Sequence, residues 1–530
     1  MANASERRPK TIAVIDIGSN SARMVIAEVG PEGKIETIER AQRAVRLGHS
    51  SFLLGRLDPP TMNAAVGILR DFRRMLDSYH VEHVRAVATS AVREASNRDA
   101  FLDRVQMATG IEVEVIEPTE ESRLTVSAVR DALGDALLLG SDTTLIVEVG
   151  GGSAMLTILK NGQIAASESC NLGSIRLQEI LDTWQEPAER AADLLRHQIA
   201  NLVSAIRRTM PIESVHSFIA IGGDARFAAH QVGEPGPIPQ VTLVDAKRFD
   251  DLVAECARLR AEVLARRYGM PFADAETLVP ALLAYQALLH ASAAHRMLVS
   301  SVSMRDGLLL DLARSVTGRD DPALVESVID SAEAIGEKYR YDARHARHVA
   351  DLSVRLFDEL RPEHRLTARE RLLLRVAALL HEVGGFVSSR SHHKHSYYLI
   401  SNSALFGLRR AELQIVAHVA RYHRRSPPKA THTDYMMLPR TERIIVNKLA
   451  AILRVADALD RGHAQQVRDL VIERRPGELL ICVKGVGDLS LERRAMPSKA
   501  DLFEEIYGMK VRLEEDPSLL PASRRTGPAG

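Results

Sequence analysis

The stretch EVGGGSAML (148–156) follows the short apolar segment LIV (145–147) and contains three consecutive glycines. The β-branched segment predicts a buried strand, and the glycines predict a tight turn directly after it. Glycine lets backbone N–H groups converge on an oxyanion, and a serine hydroxyl adds another donor. The stretch therefore indicates either a phosphate-binding loop or an ordinary turn between two strands that needs no ligand.

A second stretch, DIGSNSARM (16–24), matches the first at a constant offset of 132 positions. The two share an acid, a glycine and a serine, paired as Asp16 with Glu148, Gly18 with Gly150, and Ser21 with Ser153. Each lies near the start of a series of alternating strands and helices, which predicts two α/β lobes, at 1–132 and 133–316. The repeat predicts a duplicated fold, and the acid at each strand end can hold a divalent cation.

The rest of the chain has a different pattern, and 530 residues are too many for one core. Residues 317–462 carry helical periodicity almost throughout, which predicts an all-α domain. Residues 463–530 predict a small α+β domain with a hairpin, a helix and a last strand. We expect its tail, PSLLPASRRTGPAG (517–530), to be disordered.

The composition excludes several classes of protein. Lys+Arg and Asp+Glu are both 69, so the overall charge does not predict a nucleic-acid partner. The three cysteines, Cys170, Cys256 and Cys482, form no CxxC pair, which fits a reducing cytoplasm. The polar N-terminus does not resemble a signal peptide, and no apolar run reaches the roughly 20 residues that span a bilayer. We expect a cytoplasmic protein without a membrane partner.

Two further stretches could carry chemistry, and each has a structural alternative. In EPTEESRL (117–124) Thr119 could cap a helix whose dipole stabilises Glu120 and Glu121, or one glutamate could activate a water in a cleft. In ATSAVREA (88–95) Thr89 and Ser90 could cap the next helix, or they could bind a phosphate together with Arg93.

In this order, the motifs resemble the exopolyphosphatase and guanosine pentaphosphate phosphohydrolase family. The resemblance covers about residues 10–460 and is carried by DIGSNSARMVIAEV, ATSAVREA, EPTEESRL, VEVGGGSAML, IAIGGDARFAA, VSMRDGLL, LLHEVG, HHKHSYYLISNS and ARYHRR. It implies two actin-like (ribonuclease H-like) lobes and Mg²⁺-dependent hydrolysis of phosphoanhydrides in the cleft between them. The implied substrate is inorganic polyphosphate, which releases orthophosphate, with guanosine pentaphosphate as the alternative. Homodimers are also implied.

The resemblance assigns roles to particular residues. Glu121 would be the catalytic base, and Asp16 would place Mg²⁺, to which Glu148 could also contribute. Arg23 and Arg93 would neutralise charge during transfer. The phosphate-binding positions would be Gly18, Ser19, Asn20, Ser21, Thr89, Gly150, Gly151, Gly152 and Ser153.

The sequence departs from the family's pattern mainly in the second loop. The family usually reads DIGGGSTE there, whereas this chain has Glu148 for the first acid and Met155 for the last. Asp224 also stands where small or hydroxyl residues are usual, and an acid there would repel a polyanion unless it binds a cation or points away. These departures support a second hypothesis, a regulator that binds polyphosphate or an alarmone with little turnover.

The helical domain resembles the HD superfamily. His345, His381, Glu382 and Asp457 occupy the places of its His…His-Asp…Asp metal set, with a glutamate where the motif has its aspartate. We favour a degenerate site in which these buried polar groups bond to helix ends. Two basic clusters nearby either form solvated faces or line a polyanion channel: His392, His393, Lys394, Arg424, Arg425 and Lys429.

Overall fold

A computed structural model describes residues 9–30, 32–139, 143–160, 163–183, 186–317, 322–403, 405, 407–486 and 488–516. The chain divides into two compact units, Met1–Asp321 and Pro322–Gly530, close to the predicted boundary at 316/317. The tail predicted to be disordered, 517–530, lies outside the described residues. No described helix is long and apolar enough to cross a membrane.

The first lobe of the first unit is built on a five-stranded sheet with the order β3-β2-β1-β4-β5. Its elements are β1 (Lys10–Ile17), β2 (Ser21–Val29), β3 (Ile35–Ala44), α1 (Leu47–Leu54), α2 (Pro59–Ser78), β4 (His83–Ala88), α3 (Ser90–Glu94), α4 (Arg98–Thr109), β5 (Val113–Val115) and α5 (Pro118–Leu139). Strands β1 to β3 are antiparallel, whereas β4 pairs parallel to β1 and β5 parallel to β4.

The second lobe has a seven-stranded sheet with the order β10-β11-β12-β9-β6-β7-β8. Its elements are β6 (Thr143–Val149), β7 (Ala154–Lys160), β8 (Gln163–Cys170), α6 (Ser174–Leu181), α7 (Ala188–Thr209), β9 (Ser217–Ile221), α8 (Gly223–Val232), β10 (Glu234–Pro235), β11 (Val241–Asp245), α9 (Ala246–Cys256), α10 (Ala261–Tyr268), α11 (Phe272–His290), β12 (Arg296–Ser300) and α12 (Met304–Thr317). Strands β10 to β12 are short, with two to five residues each.

The two sheets share one topology, which confirms the predicted duplication. In each lobe three antiparallel strands are followed by two strands that pair in parallel, β4 and β5 in the first lobe and β9 and β12 in the second. The first strand of each lobe ends at a glycine loop in the middle of its sheet. Both loops therefore lie at the carboxyl ends of central parallel strands, where α/β folds place their ligands.

Helix α12 packs on the first lobe, although it follows the second lobe in sequence. Its buried Leu308 and Ala313 join a core with Ile12 and Val14 of β1 and Leu124 of α5. The neighbouring residues of β1, which point to the opposite face, join the core beneath α2 and α4. The predicted boundary at 132/133 placed α12 with the second lobe, whereas α12 packs on the first. The sheet of the first lobe is buried on both faces, and α12 covers part of one of them.

The second unit is mainly helical and ends in a small sheet. Its elements are α13 (Pro322–Lys338), α14 (Ala343–Glu359), α15 (Arg361–His364), α16 (Ala368–Leu380), α17 (His392–Ser401), α18 (Arg410–Arg421), α19 (Thr433–Met436), α20 (Arg440–Leu459), β13 (Asp469–Arg475), β14 (Glu478–Lys484), α21 (Ser490–Lys499), α22 (Asp501–Tyr507) and β15 (Lys510–Asp516). In the sheet, β14 is antiparallel to β13 and parallel to β15.

One hydrophobic core runs through the whole second unit. Ile481 of β14 and Phe503 of α22 are buried in the same cluster as Leu380 and Leu453 of the helical part. The predicted boundary at 462/463 therefore does not separate two cores. A sheet must bury its apolar face against another element, and this three-stranded sheet buries its face in the helical core.

Candidate active site

The two glycine loops and α5 line one cleft in the first unit, with a cavity volume of about 500 Å³. It contains all the phosphate, metal and base residues predicted for this unit except Arg93. These are Asp16, Gly18, Ser19, Asn20, Ser21, Arg23, Thr89, Glu121, Glu148, Gly150, Gly151, Gly152 and Ser153. Residues from both halves of the duplicated fold thus meet at one place.

The two loops have the same turn geometry. The backbone N–H of Gly18 donates to the Ser21 carbonyl at 3.1 Å, and Gly150 N–H donates to the Ser153 carbonyl at 2.9 Å. A Cβ on either glycine would lie only 3.2–3.3 Å from that carbonyl. The glycines that align in sequence therefore perform the same task, which is to close a tight turn at the strand end.

The loops also approach each other closely. A Cβ on Gly152 would lie 2.3 Å from the Ser90 hydroxyl, and one on Gly151 would lie 3.1 Å from the Ser19 Cβ. The hydroxyls of Ser19 and Ser90 are 3.1 Å apart and hydrogen-bonded. Glycine is therefore needed here for the close approach of the two lobes, in addition to the turn.

Thr89 takes the position before helix α3. Within the described chain its hydroxyl makes no capping hydrogen bond, and the residue lines the cleft. The capping alternative for Thr89 is therefore wrong. Helix α5 begins at Pro118, so Thr119 lies inside the first turn and is not the cap either.

The adjacent acids Glu120 and Glu121 have different surroundings. Glu120 is buried and accepts hydrogen bonds from Arg123 at 2.8 Å and from Arg85 at 3.1 Å. Glu121 lines the cleft and accepts a hydrogen bond from Nη1 of Arg93 on Oε1, at 2.5 Å. Successive residues of a helix point about 100° apart, so one acid serves the fold and the other reaches the cavity.

Burial raises the pKa of Glu121 to about 7, against the opposing effect of Arg93, and Glu148 and Asp16 raise it further. A carboxylate with a pKa near neutrality is suited to accept a proton from water. Arg93 also donates to the Ile116 carbonyl at 2.6 Å and is not among the residues that line the cavity, so its contact with phosphate stays a prediction. The Glu121 carboxylate holds the guanidinium.

Asp16 and Glu148 lie at matching strand ends. Burial raises the pKa of Glu148 although Thr125 donates to it at 3.0 Å, and the charge of Asp16 raises it further. Burial is the main cause of this shift, and the added repulsion from Asp16 places the two carboxylates in the same part of the cleft. Carboxylate oxygens are suitable ligands for hard divalent cations, and such a cation would relieve this repulsion, so the two residues could hold a divalent cation.

Three arginines line the cavity, and only Arg23 was predicted from the sequence. Arg226 and Arg305 lie in the quoted motifs IAIGGDARFAA and VSMRDGLL, which could have revealed them. Among the described residues the buried Nε of Arg23 has no hydrogen-bond partner. Burial and the charge of Arg305 lower the pKa of Arg23, so the arginines are close enough to act on one anion.

The cross-strand partners of the two acids differ between the lobes. Arg23 is opposite Asp16 in the first lobe, and Met155 is opposite Glu148 in the second. Arg23 and Met155 are also separated by the offset of 132 positions. The position that carries a charge in the first lobe is therefore apolar in the second, and Met155 lines the cavity.

Asp224 and Asp274 lie on the second lobe's wall of the cavity. Burial and the neighbouring Asp274 raise the pKa of Asp224 to about 7, while Arg23 and Arg226 oppose this shift. Asp224 lines the cleft in the first turn of α8, next to Gly222 and Gly223. With a pKa of about 7, Asp224 is present in both its protonated and its charged form near neutral pH.

Only some residues of the two predicted basic clusters in the second unit are exposed at the surface. Lys394, Arg425 and Lys429 are exposed, but His392 and His393 are buried. Burial and nearby arginines lower the pKa of His393 to about 4, so it is neutral at physiological pH. The burial of these two histidines disfavours a channel lined by them, and the solvated-face and channel alternatives stay predictions for the exposed residues.

The fold and the cleft define a two-lobed phosphohydrolase. The family model described as the Ppx/GppA phosphatase family matches residues 25–316, and that of Ppx/GppA phosphatase, domain III, matches residues 329–475. The chain belongs to the Ppx/GppA phosphatase family, whose members hydrolyse phosphoanhydride bonds.

Curated relatives and solved structures agree with this assignment. A guanosine-5'-triphosphate,3'-diphosphate pyrophosphatase of Photobacterium profundum is 25% identical over 87% of this chain and 90% of its own length. A protein of the same name from Aliivibrio fischeri is 24% identical over 78% of this chain and 81% of its own length. The crystal structure of an exopolyphosphatase from Cytophaga hutchinsonii covers 58% of this chain and 98% of its own, with 23% identity and a TM-score of 0.51. That likeness shows a shared fold.

Proposed function

We propose that this protein is a Mg²⁺-dependent exopolyphosphatase that removes terminal orthophosphate from inorganic polyphosphate. The observation that carries the proposal is the position of Glu121. Its carboxylate lines the cavity formed by both glycine loops, and its pKa is raised to about 7. A base poised near neutrality beside two oxyanion-binding turns suits the attack of water on phosphorus.

The terminal phosphates bind between the two loops. The N–H groups of Gly18 and Gly150 are used inside their turns, so the donors come from Ser19 and Asn20 on one side and from 151–153 on the other. Arg23, with its unpartnered Nε, binds a phosphate oxygen from the first lobe. Phosphoryl transfer needs mainly positioning and charge neutralisation, which these groups supply.

Asp16 and Glu148 hold the Mg²⁺ ion in this proposal. The described lining contains five carboxylates and three guanidiniums, so added positive charge would favour the entry of a polyanion. When bound, the ion supplies charge neutralisation on the phosphate oxygens.

Glu121 acts on the nucleophilic water. Arg93 holds Oε1, and Oε2 accepts a proton as the water oxygen forms its bond to the terminal phosphorus. The bond from that phosphorus to the bridging oxygen breaks, and its electrons stay on the shortened chain. The products are orthophosphate and a polyphosphate one unit shorter, and Glu121 returns its proton to solvent.

Guanosine pentaphosphate is the second candidate substrate. Both curated relatives reported above are named for a guanosine 5'-triphosphate, 3'-diphosphate substrate. The cavity also extends beyond the loops to an apolar wall that includes Phe227, Met270 and Leu278, against which a base could pack. A polyphosphate end has no group that would use this wall.

The experiment compares orthophosphate release from long-chain polyphosphate and from guanosine pentaphosphate, with Mg²⁺, for the wild type and Glu121→Gln. We expect release from polyphosphate that Glu121→Gln abolishes. Release from guanosine pentaphosphate alone would replace the first candidate with the second. Tight binding of both without release would instead establish the low-turnover regulator that Met155 and Asp224 suggest.

Three broader features rest on the family resemblance and are proposed with it. The helical part of the second unit has an HD-like arrangement, the protein forms homodimers, and it acts in the cytoplasm. In support of the first, His345, His381 and Asp457 come from three separate segments of the helical part and meet in its interior. Analytical ultracentrifugation of the purified chain tests the second.

A further inference from the structure

The carbonyl groups of the second glycine loop lie against the first turn of α6. Backbone N–H groups of that turn donate to the carbonyls of Gly150 and Gly151 at 2.9–3.0 Å. The Arg176 side chain, on the same turn, donates from Nε to the Gly152 carbonyl at 2.5 Å. Three successive carbonyls of the loop are therefore turned towards α6.

We propose that Arg176 is a positioning residue of the phosphate cleft, which binds the Gly152 carbonyl and thereby directs the Ser153 N–H to a phosphate oxygen. This role rests on the function proposed above, because it requires phosphate in the cleft. Arg176 is not among the described residues that line the cavity. It therefore acts through the loop and does not touch the substrate.

The direction of the Ser153 N–H follows from that of the Gly152 carbonyl. The described peptide bonds are trans, and the C=O and N–H groups of a trans peptide point in opposite directions. A carbonyl turned towards α6 thus turns the Ser153 N–H away from α6, and Ser153 lines the cavity. Among the described residues this N–H has no acceptor, so it is available to an oxyanion.

The Gly152–Ser153 peptide needs a partner to keep this direction. Because Gly152 has no Cβ, the peptide that follows it can rotate at little steric cost. A rotation that exchanged the two groups would turn the carbonyl oxygen to the cleft, where it would repel a phosphate. The bond from Arg176 opposes that rotation, since a buried guanidinium that loses its acceptor is costly.

Gly173, directly before α6, packs on the same peptide. A Cβ at this position would lie 2.2 Å from the carbonyl carbon of Gly152 and 2.4 Å from the nitrogen of Ser153. Glycine is therefore required for α6 to come close enough to the loop. The close approach brings Arg176 within hydrogen-bond distance of the carbonyl.

The first loop holds the corresponding carbonyl without a side chain. Asn20 matches Gly152 at the offset of 132 positions, and its carbonyl accepts from the N–H groups of Val45 and Arg46 at 2.9 and 3.1 Å. In the second loop, Nε of Arg176 is the only donor to this carbonyl within the described part of the chain. The direction of the carbonyl is repeated, but in the second loop one side-chain substitution can remove its donor.

The first lobe holds the other end of the Arg176 guanidinium. Its Nη2 donates to Glu94 of α3 at 2.6 Å, and the group lies 4.2 Å over the ring of Phe52 of α1. These contacts offer a competing account, in which Arg176 only joins the two lobes. The two roles use different nitrogens, Nε and Nη2, so substitutions can separate them.

A matched pair of variants makes this separation. Arg176→Gln places an amide nitrogen as many bonds from Cα as Nε, and it removes the ion pair with Glu94. Arg176→Lys places a methylene group there, and its ammonium group, one bond farther out, can still pair with Glu94. If Arg176 positions the loop, the Gln variant should be the more active. If it only joins the lobes, the Lys variant should be.

The direct readout is the amide proton of Ser153. Glycine labelled with ¹³C at the carbonyl and serine labelled with ¹⁵N select the Gly–Ser peptide bonds in the NMR spectrum of the full chain. Their serines are Ser19, Ser153, Ser174 and, outside the described residues, Ser141. On addition of inorganic orthophosphate with Mg²⁺, the Ser153 proton signal should move downfield in the wild type and in Arg176→Gln. This movement should be lost in Arg176→Lys, while Ser174, whose N–H is bonded within the protein, should stay in place.

The rate of orthophosphate release should follow the same order. In Arg176→Lys kcat/KM for polyphosphate should fall about 10–100-fold, because one oxyanion donor is misdirected. Arg176→Gln should recover most of this loss. Equal losses in the two variants, or a larger loss in Arg176→Gln, would overturn the proposal in favour of a contact that only joins the lobes.

The Ser19 signal separates this proposal from the function on which it rests. Orthophosphate that moves Ser19 but not Ser153 in the wild type would overturn the role of Arg176, although the cleft binds phosphate. If neither signal moved, both the proposed function and this role would be contradicted. An equal movement of Ser153 in the wild type and in Arg176→Lys would also overturn the role of Arg176.

Discussion

The guanidinium of Arg305 donates a hydrogen bond to the carboxylate of Asp16 at 3.2 Å, across 289 positions of sequence. Asp16 is near the end of β1, and Arg305 is in the first turn of α12. The contact exists because α12 returns from the second lobe to pack on the sheet of the first. It places a positive charge beside the acid proposed to hold Mg²⁺.

Arg305→Gln should reduce the rate of orthophosphate release about 10²–10³-fold, because a cation next to the transferred phosphoryl group is lost. The effect should fall mainly on kcat, as expected for charge that develops in the transition state. Arg314→Gln, farther along the same helix and outside the cavity lining, is the control and should retain activity. Equal rates for wild type and Arg305→Gln would remove Arg305 from the site.

Glu121→Gln and Glu120→Gln should separate catalysis from stability. The first should lower kcat about 10²–10⁴-fold with the fold intact, since it removes the proposed base. The second should lower the melting temperature, because it breaks a buried ion pair with Arg123. Steady-state kinetics and thermal melts on both variants check this, and a reversal of the two phenotypes would contradict the assignment.

The rate should depend on pH through Glu121. Its pKa is raised to about 7, so release should rise as pH increases through 7 and the carboxylate ionises. Arg93→Met removes the group that lowers this pKa, and the inflection of the pH–rate profile should move to higher pH. An inflection that stays in place or moves to lower pH would show that Arg93 does not act on the base.

The same shift predicts how stability depends on pH. Glu121 has a higher pKa in the folded state than in the unfolded state, so the folded state binds more protons between about pH 4.5 and 7. The free energy of unfolding of the Mg²⁺-free protein should therefore fall as pH rises through this window. Denaturant unfolding of Glu121→Gln should show a smaller loss over the same range.

Met155→Glu should strengthen Mg²⁺ binding and raise turnover at low Mg²⁺. Met155 is the cross-strand partner of Glu148, so a carboxylate there would add an oxygen donor beside the proposed metal ligand. Met155→Gln is the neutral control with a similar shape. A Mg²⁺ titration of activity is the measurement, and an unchanged or lower rate for Met155→Glu would mean that the missing acid is not limiting.

Asp224→Ser should lower the KM for polyphosphate, and more strongly above pH 7 than below it. Burial and Asp274 raise the pKa of Asp224 to about 7, so its repulsion of a polyanion grows as pH rises through that value. KM measured at pH 6 and pH 8.5 tests this. The same ratio of KM between wild type and variant at both values would show that the Asp224 charge does not control substrate entry.

Local sequence patterns identified the two glycine loops that line the cleft. Two glycine loops at a constant offset predicted the duplicated fold, and the structure reproduces them with equivalent hydrogen bonds at Gly18 and Gly150. Arg226 and Arg305 were overlooked because an isolated arginine next to a turn carries no periodic signal. Their role depends on the lobe to which their elements pack.

The local sequence does not show which of the adjacent acids Glu120 and Glu121 faces the cleft. It also does not distinguish the surroundings of Arg93 from those of Arg23. Each of these pairs has the same chemistry in sequence, and only the direction of the side chain differs. The same applies to His392 and His393, which belong to a basic run in sequence but are buried in the structure.

The sequence by itself determined the two α/β lobes, the two turn loops and the residue types of the phosphate cleft, because strand periodicity and glycine turns are local properties. Only the tertiary structure decided which charges meet: Arg305 with Asp16, Arg93 with Glu121, and Lys499 with Asp457. Electrostatic energy depends on distances and burial after packing, and residues far apart in the chain acquire those only when the helices and sheets close on one another.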